Sequence, residues 1–114
     1  MYPGRIYVAD VPAFSASIDR LAQLADEVPI AMVLGGHVEM TSRPRKDYPI
    51  GCTYQPEERP LEMAPNRLQA VRKAVRSGRR RYVGDDFILY RGLSLRTMAP
   101  LLLRGWIWRT THAP

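Results

Sequence analysis

An amphipathic stretch running straight into an unbroken apolar run is the feature that most narrows how this chain can fold. Phe14, Ile18, Leu21 and Ala25 recur at intervals of three and four, which places them on one helical face, while Ser15, Asp19, Gln23 and Asp26 face water. Pro29 ends the helical stretch, and residues 30–34 form an apolar run of the length expected for a strand buried on both faces. A helix feeding a buried strand is half of a βαβ unit, so the expected fold class is α/β. Upstream, residues 5–8 read as a short strand, with Asp10 as the helix N-cap and Pro12 near the first turn. Downstream, Gly35-Gly36 breaks the second strand and leaves His37 on a tight loop at its C-terminal end, where open α/β sheets commonly place ligands.

Residues 38–63 carry Pro44, Pro49, Pro56 and Pro60 and show no sustained periodicity, which predicts a long loop. Tyr48, Tyr54 and single apolar anchors favour an ordered lid over a flexible linker. Pro65 opens a second helix with Leu68, Val71, Ala74 and Val75 as its apolar stripe and Gly78 as its C-terminal cap residue. Its polar face is basic: Arg67, Arg72, Lys73 and Arg76 run into Arg79-Arg80-Arg81, and no acidic residue occurs between Glu62 and Asp85. Two short strands, at residues 82–83 and 87–90, follow around a Gly84-Asp85-Asp86 turn. From residue 92 the character changes, with Leu101-Leu102-Leu103 and Trp106-Ile107-Trp108 set among arginines. A short amphipathic helix and a poorly ordered tail both fit that pattern, and an interface or core role suits it better than a membrane anchor.

Length and composition bound the rest. At 114 residues the chain is one small domain with a modest core, and 46% hydrophobic with 25% charged residues argues against wholesale disorder. A net charge of +6 permits attraction to phosphates or anionic surfaces and says nothing about the fold. A lone cysteine, Cys52, allows neither an intramolecular disulfide nor a zinc-knuckle spacing and suits a reducing cytoplasm. The first residues lack the pattern of a signal peptide, and the apolar stretch 98–108 is broken and shorter than the ~20 residues that span a bilayer. A cytoplasmic location with no membrane partner is the expectation.

Strand, Pro-Gly turn, Asp-capped helix, buried strand and Gly-Gly-His, in that order, resemble the later half of a metallo-β-lactamase-fold metallo-hydrolase. The residues that carry the resemblance are Tyr2-Pro3-Gly4-Arg5-Ile6-Tyr7-Val8, Ser17-Ile18-Asp19-Arg20-Leu21 and Val33-Leu34-Gly35-Gly36-His37-Val38-Glu39-Met40. Tyr48-Pro49-Ile50-Gly51, Tyr54-Gln55-Pro56 and Pro60-Leu61-Glu62-Met63 add to it. The resemblance implies that residues 1–91 are the C-terminal part of such a domain and 92–114 a divergent tail. It implies a partial αββα sandwich, a small sheet with at least two helices, and an apolar sheet face left uncovered that favours a homodimer or a complementing N-terminal half.

His37 matches the position at which that family supplies its last histidine ligand to zinc. Hydrolytic zinc centres need about three protein ligands and an open position for water. This chain has 2 histidines, His37 and His112, and no His-x-His-x-Asp-His run. The resemblance therefore implies a truncated or catalytically incomplete zinc-dependent hydrolase, with zinc belonging to the complete domain and not held tightly by this chain. A mis-started reading frame, a natural remnant and one half of a split protein are its possible origins, and a Met1 inside a family-like segment favours the first. A small-molecule substrate is implied once the site is completed, with contacts expected from residues 38–63. Glu39 and Asp47 are carboxylates able to assist a metal or act as a base, although most loop carboxylates are solvated. Cys52 reads as inert, with no adjacent base to activate it. The alternative is a non-catalytic binding or assembly module that uses the basic helix of residues 65–81, with nucleic acid as its partner. Solvated arginines are the plainer reading of that helix, because no aromatic residues interleave with them.

Overall fold

The computed structural model describes residues 4–34, 39–60, 62–92 and 94–112. In chain order the elements are β1 (Arg5–Val8), α1 (Val11–Glu27), β2 (Val33–Leu34), β3 (Glu62–Met63), α2 (Arg67–Arg76), β4 (Arg81–Val83), β5 (Ile88–Arg91) and α3 (Leu95–Thr111). This is a small α/β domain built on a mixed 3-stranded sheet of order β1-β5-β4, with β2 and β3 as a separate pair. β1 runs parallel to β5, in register Arg5↔Ile88 through Val8↔Arg91, and β4 runs antiparallel to β5.

Side chains alternate across a strand, so the sheet sends two sets of residues in opposite directions. Ile6, Val8 and Leu89 join Ile18 of α1 and Leu68, Val71, Ala74 and Val75 of α2 in one core. Ile88 and Tyr90 join Met40 and Leu101 in a second core, with Tyr7, Ile50 and Met98 packed against it. Tyr7 and Tyr90 stack across the β1/β5 pair with ring centroids 5.5 Å apart.

α1 starts as its sequence predicts: the Asp10 side chain accepts from the Ala13 N–H at 3.0 Å, and a proline occupies the first turn. Its buried arc differs by one position, because Ala22 is fully buried while Leu21 is 48% exposed. Ala22 faces α2, whose Gln69 side-chain amide donates to the Ala22 carbonyl at 3.5 Å. α2 also ends as expected, with Gly78 beyond its last turn at φ 71, a conformation glycine adopts without strain.

Three expectations change. The run at residues 30–34 is not a strand buried on both faces: only Val33–Leu34 is extended, it pairs antiparallel with β3, and Ala31 and Met32 are exposed. The position beside β1 belongs to β5, so α1 does not connect two neighbouring parallel strands. The long loop does carry structure, since Met40↔Asp47 and Thr41↔Glu58 form bridges, Glu62–Met63 forms β3, and Met40 is fully buried.

Within the tail, Leu95–Thr111 forms a helix of 17 residues, longer than the short helix expected. Ser94 caps it by accepting from the Thr97 N–H, and Leu101 and Gly105 seat it against the second core. Pro100, inside the helix, removes one backbone donor, a loss that this seat offsets. The sheet face expected to lie bare is covered by α3 and by the segment around Met40 and Ile50. Apolar exposure appears instead on outer helix faces, at Leu21 and Leu24 of α1 and at Leu103 and Trp106 of α3. No helix among the described residues is long and apolar enough to cross a membrane.

Candidate functional site

Alternation along β1 places Arg5 on the same side as Tyr7, under α3 and the 40–50 segment, where it is only 2% exposed. A guanidinium stripped of water is costly unless its donors are all met. Arg5 Nε donates to Asp47 Oδ2 at 3.0 Å, Nη1 donates to Glu39 Oε1 at 3.0 Å, and Nη2 donates to the Tyr48 carbonyl. The Arg5 backbone N–H donates to Glu39 Oε2 at 2.7 Å. Arg104 of α3 completes the arrangement, with Nη1 donating to Asp47 Oδ1 at 2.5 Å and Nη2 to the Asp47 carbonyl at 2.8 Å. Two guanidiniums and two carboxylates thus form a charge-balanced hub that ties β1, the loop and α3 together.

Beside the hub lies a cleft of about 350 Å³ bounded by Arg5, Glu39, Tyr48, Ile50, Cys52 and Gln55. Cys52 is half-buried and its thiol donates to the Tyr54 carbonyl at 3.1 Å. Glu39 lines the same cleft, with each of its oxygens accepting from Arg5. The Tyr48 hydroxyl accepts from the Glu57 N–H at 2.8 Å, which fastens the loop across itself.

The reading of Glu39 and Asp47 as solvated loop carboxylates is corrected by this geometry: both pair with the buried Arg5. The metal-ligand candidate His37 lies outside the described residues. His112, at the end of α3, stacks on Trp108 with ring centroids 4.6 Å apart. Among the described residues no three His, Cys, Asp or Glu side chains are placed to hold a metal ion.

The basic helix is partly neutralised by acids that its own sequence window lacks. Arg67 forms a two-pronged pair with Asp86, Nε to Oδ2 at 2.8 Å and Nη2 to Oδ1 at 2.6 Å. Arg72 and Arg76 both reach Asp19 Oδ1 on α1, at 2.7 and 3.3 Å. The hydrogen bond to Asp86 holds the Arg67 guanidinium above its ordinary range, against a smaller opposing effect of burial. A raised value stabilises the fold at every pH below the ordinary arginine range, and that contribution is lost only as strongly alkaline pH passes the raised value.

Sequence reasoning missed Arg5 and Arg104 as organising residues. The signal was present at Arg5, a charged residue that opens an otherwise apolar strand and shares a face with Tyr7. These features define a small α/β domain with a mixed sheet and a buried arginine–carboxylate hub. No protein-family model, curated protein or solved structure matches the chain.

Proposed function

We propose that this chain is a catalytically incomplete relative of the metallo-β-lactamase-fold hydrolases, a partial αββα unit that contributes the single ligand position His37. The observation that carries this reading is the engagement of Glu39 by Arg5 through both carboxylate oxygens. The acidic residue nearest in sequence to His37 among the described residues is thereby spent on holding β1 to the loop. Further zinc ligands would have to come from another polypeptide segment, and the cleft beside Tyr48 and Cys52 is where a small-molecule substrate would then contact this half. The element order supports the reading, since strand, capped helix and a short strand leading into Gly-Gly-His occur in the order that the resemblance requires.

Zinc content of the purified full chain tests it. After dialysis against zinc-free buffer the chain is expected to retain far less than one zinc per molecule, and His37→Ala to change nothing. Stoichiometric zinc that survives dialysis and is lost in His37→Ala would overturn the reading and make this chain a metal protein in its own right. The module reading through α2 is not favoured, because Asp19 and Asp86 already neutralise much of the surface it would use.

A further inference from the structure

Three arginines without a carboxylate partner among the described residues, Arg80, Arg81 and Arg96, come together in one place. Arg80, Arg81, Arg96 and Arg104 line one cleft of about 320 Å³ between the β4–β5 hairpin and the first half of α3, with Tyr90 in its wall. No acidic residue lines it, and the chain has none at all after Asp86. Arg104 is balanced by Asp47, which already serves Arg5. No carboxylate among the described residues pairs with Arg80, Arg81 or Arg96.

Gathering like charges around a concave surface is unfavourable unless something of opposite sign occupies it. The wall is also pre-organised. The Arg81 guanidinium lies 5.9 Å from the centre of the Tyr90 ring, and its Nε reaches the Tyr90 hydroxyl at 3.4 Å. Arg80 is anchored at the sheet edge, where its carbonyl accepts from the Arg91 N–H at 2.9 Å. Arg96 stands in the first turn of α3, a turn with no acidic residue, where the helix end adds positive potential.

We infer that this cleft binds a phosphorylated small molecule, with the phosphate held between Arg80, Arg81 and Arg96. Planar guanidinium forks match the oxygens of a phosphate dianion, and three of them exceed what one carboxylate can use. The volume lies at the small end of ligand pockets, and Pro100 and Leu101 give it an apolar side for the group that carries the phosphate. A nucleic-acid backbone would need a long unneutralised track, whereas the neighbouring arginines of α2 are tied to Asp19 and Asp86.

Calorimetric titration of the full chain with phenyl phosphate, inorganic phosphate and a single-stranded oligonucleotide tests the site. Saturable 1:1 binding of phenyl phosphate is expected, tighter than that of inorganic phosphate. The double variant Arg80→Gln/Arg96→Gln should weaken it at least tenfold; both side chains are exposed and outside either core, so the fold should persist by circular dichroism. The double variant Arg20→Gln/Lys73→Gln, which removes the same charge from exposed positions on α1 and α2, should change it less than twofold. Equal weakening in both doubles would reduce the effect to net charge and overturn the site. So would no binding of phenyl phosphate, or binding of the oligonucleotide alone.

Discussion

On α2, Arg67, Arg72 and Arg76 each meet a carboxylate brought from elsewhere in the chain. On the side of the sheet that α3 covers, Arg80, Arg81 and Arg96 line a cleft with no acidic residue among its described lining. In the sequence the two groups form one continuous basic stretch plus a distant residue, and nothing local separates them. The fold separates them, because α1 lays Asp19 along α2 and the turn before β5 returns Asp86 to Arg67, while no acidic residue is among the described residues that line the cleft. A basic run is therefore a poor guide to where positive charge is available. The arginines that matter for a ligand are those the tertiary structure leaves uncompensated.

Substitutions at the charged contacts can break this contrast or sharpen it. The largest effect is expected at Arg5, an arginine of a third kind, buried and shared by two carboxylates. Arg5→Ala would leave Glu39 and Asp47 beside an empty buried space and should cost about 3–5 kcal/mol in urea unfolding. A loss below about 1 kcal/mol would mean that the hub adds little to stability. Next comes Asp86→Asn, which breaks the two-pronged pair with Arg67 at a buried carboxylate and should cost about 1.5–3 kcal/mol by the same measurement. The variant should also lose the alkaline-side stabilisation of Arg67, seen as a flatter stability profile at high pH.

Gly105→Ala should cost about 1–3 kcal/mol, because a Cβ there would stand 2.3 Å from the Ile50 carbonyl oxygen and force α3 outward. Since α3 carries Arg96, phenyl phosphate affinity should fall in the same variant even though no arginine has changed. The smallest effect on stability is expected for Asp19→Asn, which releases two partly exposed pairs and should cost about 0.2–1 kcal/mol. Its value lies in the contrast itself: with Arg72 and Arg76 released, α2 should gain a weak phosphate affinity that the native helix lacks.

What the sequence made legible was local. α1, α2, their caps and the β4–β5 hairpin are all written in spacing, in Asp10 and Gly78, and in the Gly84-Asp85-Asp86 turn. The pairing of β1 with β5 was not legible, because short strands of four residues carry no mark of a partner so distant in the chain. The choice of Ala22 over Leu21 as the inward residue is not contained in periodicity alone. Met40, fully buried within a proline-rich loop, was hidden because its neighbours alternate with nothing regular. The Arg5 hub was hidden for a related reason, as its partners at Glu39, Asp47 and Arg104 lie on three different segments. His37, the residue singled out by resemblance, stands outside the described residues and takes no part in this comparison.

The parallel pairing of Arg5 in register with Ile88, together with the bond that Arg104 donates to Asp47, also has a temporal meaning. β1 is synthesised about eighty residues before its neighbour in the sheet, and earlier still than the helix that completes its buried arginine. At ~5–20 residues per second, β1 waits on the order of ten seconds before it can be paired. Contacts this far apart in the chain also slow folding of the finished polypeptide. During that interval Arg5 is an asset, since a charged residue at the start of an unpaired strand discourages the premature edge-to-edge association that an all-apolar segment would invite.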